Sequence, residues 1–105
     1  MSSETVQSGA PQSGTPVLRR KVTVVNTRGL HARAAAKLVT LAERYSACMN
    51  IVHDGQSVPA CSIMGLMMLG AGPGSVLEIE ASGPDAAVAL DALVKLIEDR
   101  FDEER

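Results

Sequence analysis

The sequence predicts an α/β domain of the α+β kind. It is an open-faced sandwich, a four-stranded antiparallel sheet with three helices on one face, in the order β-α-β-β-α-β-α. Three observations carry this reading. Ser75 to Ala81 alternates, with Leu77, Ile79 and Ala81 on one side and Glu78 and Glu80 on the other, which is the pattern of a strand with one face in water. Asp54-Gly55 sits between two short β-type runs and supplies the positive φ angles of a tight hairpin. Two longer segments repeat apolar residues at helical spacing, and helices that cover one face leave the other wet, as antiparallel sheets allow.

Each element follows in order. Residues 1 to about 17 (MSSETVQSGAPQSGTPV) are rich in Ser, Gly, Thr, Gln and Pro and hold almost no bulky apolar group, so they are expected to form a disordered tail ahead of a domain over 18–105. From Leu18 the composition changes. Lys21 to Asn26 (KVTVVN) is rich in β-branched residues and reads as the first strand, ending near Asn26. HARAAAKLVTLAERY then places Ala35, Leu38, Val39 and Ala42 on one helical face, in a helix opening at His31. Cys48–His53 and Gln56–Ala60 are the hairpin strands. Ser62 to Leu69 is a two-turn helix with Ser62 as N-cap and Gly70 closing it. After the Gly72-Pro73-Gly74 break and the alternating strand, Pro84 and Asp85 open a last helix, whose stripe is Ala89, Ala92, Leu93, Leu96 and Ile97 and which runs to about Phe101.

Composition narrows the function. A chain of 105 residues holds one small domain without room for a large cleft. Tyr45 and Phe101 are its aromatics, so the core is aliphatic. Ten basic against twelve acidic side chains, net −2, give no field that would steer the chain onto nucleic acid or an acidic membrane. There is no bilayer-length apolar run and no secretory leader pattern, and Cys48 and Cys61 read as reduced thiols, all of which point to the cytoplasm.

The chemistry concentrates at His31. It follows a glycine turn and begins a helix, where unpaired backbone N–H groups and the positive dipole end suit an anion. Ala32 and Arg33 offer their amides, and the Arg33 guanidinium offers paired hydrogen bonds to phosphate oxygens. A nucleophile, an oxyanion nest and a cation thus fall within three residues. On its own, a His-x-Arg reads better as a helix cap beside a solvated charge. Ser62 at its N-cap could bear a phosphate where the dipole favours charge, or could simply cap. The helix it opens is apolar nearly all round. Leu66 and Leu69 are therefore assigned to the core, and Ile63, Met64, Met67 and Met68 to a partly exposed, adaptable docking patch, although for any single Met the core reading outweighs it.

The wider pattern weighs on these readings. Gly29-Leu30-His31-Ala32-Arg33-Ala34-Ala35-Ala36-Lys37-Leu38, followed by Ser62-Ile63-Met64-Gly65-Leu66-Met67-Met68-Leu69-Gly70, closely resembles the HPr family of bacterial phosphotransferase-system phosphocarriers, over about Leu18 to Phe101 and in element order. The resemblance implies a monomer of HPr-like fold that needs no cofactor or metal. Its His31 would take a phosphoryl group on the δ1 nitrogen from Enzyme I, itself charged by phosphoenolpyruvate, and pass it to an Enzyme IIA, with Arg33 as phosphate partner. It also implies that Ser62 is where an HPr kinase/phosphorylase would act and that its helix meets the partners. Many members have Pro where this chain has Ala34. That difference, MMLGAGPGS and the ending IEDRFDEER resemble the nitrogen-related (NPr) branch, and so a nitrogen-type Enzyme IIA. The alternatives are a sugar-transport HPr, and a non-catalytic regulatory binding module controlled through Ser62.

Three other constellations carry little. His31, His53, Cys48 and Cys61 lack the close ligand pairs of zinc modules, and His53 reads as a solvated strand end. Gly70 to Ser75 precedes a strand and lacks the Gly-Lys-Ser/Thr of a phosphate loop, so it reads as a connector. A Ser-His-Asp hydrolase lacks an evident pocket, and no carboxylate lies near His31 in sequence, which leaves open one that meets it in space.

Overall fold

The computed structural model describes residues 16–103. The expected tail lies outside the described residues except for Pro16 and Val17. The elements are β1 (Leu18–Thr23), α1 (Ala32–Ala42), β2 (Cys48–His53), β3 (Gln56–Pro59), α2 (Ile63–Met68), β4 (Val76–Ser82) and α3 (Ala86–Glu98), the predicted order. The strands form one antiparallel sheet in the order β1-β4-β2-β3.

Why these residues form these elements is visible in what each buries. The central strands β4 and β2 place Leu77, Ile79 and Ile51 under the helices with no exposed surface, while Glu78 and Glu80 point to the wet face. On that face Glu80 accepts from Arg19 Nε at 3.2 Å. From above, α1 supplies Ala35, Leu38 and Val39, α2 supplies Leu66, and α3 supplies Leu93 and Ile97. Fully buried Ala34, Ala35 and Ala89 let the helices approach closely, and Phe101 is the largest fully buried side chain.

Several boundaries differ from expectation. β1 starts at Leu18 and stops at Thr23, short of Asn26, because its partner strand gives out: Thr23 faces Val76, the first residue of β4. Beyond it Val24 still donates to Ser75 O at 2.8 Å, and then the chain turns. α1 ends at Ala42, before Tyr45, as Arg44 and Tyr45 donate to carbonyls three residues back. The core face of α3 is Ala86, Ala89, Leu90, Leu93, Val94 and Ile97, rotated from the predicted stripe. Ala92 and Leu96 are only half-buried, Leu96 lining the groove between α3 and α1. Asp85 is the α3 N-cap residue, but its carboxylate accepts from Ser46 N–H at 2.7 Å instead of capping its own helix. His53 is half-buried rather than solvated, and its Nδ1 lies 3.3 Å from Val76 O.

The division between buried and exposed apolar groups has a measurable consequence. Leu38→Ala empties a fully buried site and is expected to lower stability by about 2–5 kcal/mol. Met68→Ala removes a side chain 76% exposed and should change it by no more than about 0.5 kcal/mol. Urea unfolding followed by far-ultraviolet circular dichroism measures both.

Candidate functional site

The site is built by a turn and its brace. After β1 the buried Asn26 (1% exposed) donates from Nδ2 to Gly29 O at 2.9 Å, and Gly29 N–H donates back to Asn26 O at 3.3 Å. Gly29 has φ +66°, and a Cβ there would stand 2.7 Å from Ala71 O and 2.8 Å from Gly72 Cα. Glycine is thus required twice, by conformation and by contact. Leu30 N–H donates to the same Ala71 O at 2.9 Å. The connector before β4 is therefore also the wall against which the functional turn is pressed.

His31 follows as the N-cap of α1, with extended backbone (φ −85°, ψ −179°) and its ring nitrogen Nδ1 accepting from Arg33 N–H at 3.2 Å. Caps are usually Ser, Thr, Asp or Asn oxygens; here an imidazole lone pair does that work. A nitrogen that accepts carries no proton, so the network assigns the ring hydrogen to Nε2. Nε2–H in turn donates to Glu103 Oε2 in a short contact, and Glu103 Oε1 accepts from Asn26 Nδ2 at 3.1 Å. The hydrogen bond from His31 holds the Glu103 carboxyl below its ordinary value of 4.5, against the opposing pull of burial, and Asn26 and the charges of His31 and Arg28 add to the lowering. The side chains of His31 and Glu103 are 20% and 13% exposed.

Glu103 reaches the ring by an unusual route. After α3, Arg100, Phe101 and Asp102 have φ of +60°, +54° and +63°, a left-handed turn closed by Asp102 N–H to Asp99 O and Glu103 N–H to Arg100 O. Consecutive left-handed non-glycine residues are disfavoured. The turn is pinned by the buried Phe101 ring and by Lys37 Nζ, which donates to Phe101 O at 2.7 Å.

The predicted residues fall as follows. Ala32 and Arg33 are exposed in the first turn of α1. The Arg33 side chain borders a shallow groove with Lys37, Arg44 and Leu96, between α1 and α3. Ser62 caps α2, its hydroxyl accepting from Gly65 N–H at 3.0 Å. Ile63, Met64, Met67 and Met68 are 40%, 74%, 45% and 76% exposed, while Leu66 and Leu69 are buried. α2 packs against α1, the helix His31 caps. Glu103 covers the Nε2 side of the His31 ring, so the imidazole is open on its other side only in part. Glu103 and Asn26 are the site residues that sequence reasoning missed: the carboxylate lies 72 positions from His31, and Asn26 was read as a strand end.

Comparison with known proteins places the chain in a family. Residues 18–99 match the PTS-HPr family, described as the PTS HPr component phosphorylation site. The phosphocarrier protein HPr of Cupriavidus necator is 48% identical over 87 residues, spanning 83% of this chain and 98% of that protein. The phosphocarrier protein NPr of Shewanella violacea is 44% identical over 86 residues, spanning 82% and 94%. A crystal structure of HPr from Thermoanaerobacter tengcongensis superposes with a TM-score of 0.80 at 41% identity, covering 84% of this chain and 99% of that one. With the four-stranded antiparallel sheet, the three helices and their order, these matches show that the chain belongs to the PTS-HPr family, the HPr and NPr phosphocarriers of the phosphotransferase system.

Proposed function

We propose that this chain accepts a phosphoryl group on His31 Nδ1 from Enzyme I and donates it to an Enzyme IIA, as a cytoplasmic, monomeric carrier without a cofactor. The observation that carries the reading is the direction of the Nδ1 lone pair: it faces the amino end of α1, where Arg33 N–H already meets it at 3.2 Å. In the transfer, Nδ1 attacks phosphorus while the P–N bond of the donor phosphohistidine breaks and its electron pair returns to the donor ring. Arg33 N–H and the neighbouring Ala32 N–H then turn to the phosphoryl oxygens, with the exposed Arg33 guanidinium close enough in sequence to share their charge. The exposed Ile63, Met64, Met67 and Met68 are the surface on which the partners dock, since flexible thioethers adapt to more than one face. Ala34, the MMLGAGPGS stretch and the ending IEDRFDEER favour a nitrogen-type Enzyme IIA as the acceptor.

A second, regulatory reading rests on Ser62. Its hydroxyl is a working N-cap, so a phosphate placed there by an HPr kinase/phosphorylase would keep amide partners while adding charge beside Ile63 and Met64. The two readings make one compatible device, a carrier whose docking face can be made less receptive.

Incubation with Enzyme I and labelled phosphoenolpyruvate tests the carrier reading. The label is expected to be lost in acid and to survive alkali, as phosphohistidine does, and to be absent from His31→Ala. An unlabelled wild type, or a His31→Ala variant that labels equally, overturns it. Arg33→Ala is expected to slow labelling by roughly ten- to a hundredfold, the range of one charge-assisted hydrogen bond, in a rapid-quench time course. Gly29→Ala, which drives a Cβ to 2.7 Å from Ala71 O, should lower both labelling rate and thermal midpoint, by at least about 1–3 kcal/mol of stability.

A further inference from the structure

Beyond the nucleophile and its oxyanion partners, the site holds a carboxylate that the transfer just described does not use. Glu103 has one oxygen on His31 Nε2 and the other on Asn26 Nδ2 at 3.1 Å. Asn26 is buried and uses its second amide hydrogen on Gly29 O. Reversing the Asn26 amide would aim its oxygen at a carboxylate and a carbonyl, so its orientation is fixed, and with it the position of Glu103. The two hydrogen bonds of the ring agree, since Nδ1 accepts from Arg33 N–H and Nε2 donates to Glu103. The strained turn of Arg100–Asp102 exists in a form that delivers this side chain, anchored by Phe101 and Lys37.

We propose that Glu103, held by Asn26, is the positioning residue of the transfer: it fixes His31 as the Nε2–H tautomer and offsets the positive ring formed when Nδ1 carries phosphate. The proposal rests on the carrier reading. When the Nδ1 lone pair bonds to phosphorus, the Nε2 proton stays where it is, and the product is a phosphoimidazolium whose cation sits on the Glu103 carboxylate. In the return direction the P–N electron pair falls back onto Nδ1 and the neutral Nε2–H ring reappears, so no proton need leave or enter the site. A carboxylate behind a nucleophilic or leaving imidazole orients and stabilises it without being protonated itself. Among the described residues, the other charged group that acts on this carboxylate is Arg28, from the turn after β1.

Glu103→Gln keeps the size and removes the charge. In the free protein, long-range proton–nitrogen NMR of the His31 ring is expected to show a single Nε2–H tautomer in wild type and a mixture in the variant. Titration of the wild-type Glu103 carboxyl carbon should centre below 4.5. A lowered carboxyl means that its contribution to stability is present above the ordinary value and is lost as the pH falls through the lowered one. After charging with Enzyme I and labelled phosphoenolpyruvate, the variant is expected to lose its phosphoryl group at neutral pH roughly three- to tenfold more slowly than wild type. A protonated Nε2 promotes P–N cleavage, and the variant favours it less. A merely structural role predicts the reverse, a loosened end that admits water and shortens the lifetime. An unchanged tautomer, or a lifetime equal to or shorter than wild type, overturns the proposal. A wild type that takes no label overturns the carrier reading and the phosphoimidazolium part with it, while the ring tautomer in the free protein still decides whether Glu103 positions His31.

Discussion

One buried amide holds the site together. Asn26 spends one Nδ2 hydrogen on Gly29 O, which shapes the turn entering His31, and the other on Glu103 Oε1, which sets the carboxylate behind the ring. The His31 ring is therefore located from both chain directions by a single side chain that is 1% exposed. Its Oδ1 has no hydrogen-bond partner among the described residues, and leaving a buried acceptor unpaired costs on the order of 1–3 kcal/mol. That cost is borne at the one place where two segments far apart in sequence must be held in register with the same ring. An apolar residue there would relieve the buried oxygen and release both segments.

The layered architecture separates a closely packed core from a helix that leaves much of its apolar surface exposed. Burial is concentrated between the sheet and the helices, where alanines on α1 and α3 allow close approach. The brace from Leu30 N–H to Ala71 O is made of backbone, so it carries little side-chain freedom into the turn. α2, by contrast, is six residues long and buries Leu66 while leaving Met64 and Met68 about three-quarters exposed. A short helix with one buried stripe cannot hide that much apolar surface, and its cap, Ser62, is what keeps it wound.

How much of this was legible in the sequence depends on how local the cause is. The helices, the hairpin at Asp54-Gly55, the exposed methionines and the His31 cap follow from periodicity, turn chemistry and neighbouring residues, and the structure shows each of them. The end of β1 was not legible, because it is set by where β4 begins rather than by the β-branched run of β1 itself. The α3 stripe was misplaced by a fraction of a turn because Ala92 and Leu96 are as apolar as the residues that face the sheet. Glu103 was beyond reach for a stricter reason. Its meeting with His31 depends on three left-handed residues, Arg100, Phe101 and Asp102, none of them glycine or asparagine, so no propensity announces the reversal. The acidic ending IEDRFDEER was noticed as a likeness to one branch of the family, and its physical use emerged only when the turn placed one of its carboxylates on the ring.

A carrier faces a constraint that an enzyme with a product to release does not: it must receive and surrender the same group, so neither state can be held much more tightly than the other. In the transfer proposed through His31, the hydrogen bonds at the ring suit that demand. Arg33 N–H is already satisfied by Nδ1 in the free ring, so turning it to a phosphoryl oxygen exchanges one partner for another instead of adding one. Glu103 bonds Nε2–H in the free state and keeps the same contact when the ring becomes cationic, so its contribution grows by the difference between a neutral and a charge-assisted hydrogen bond and no more. A strongly basic pocket would bind phosphate more firmly and exchange it less readily. The proposed site instead combines the exposed guanidiniums of Arg33 and Arg28 with helix-end amides and the Glu103 carboxylate, and the negative charge of that carboxylate tempers the pull of the cations on a phosphoryl group.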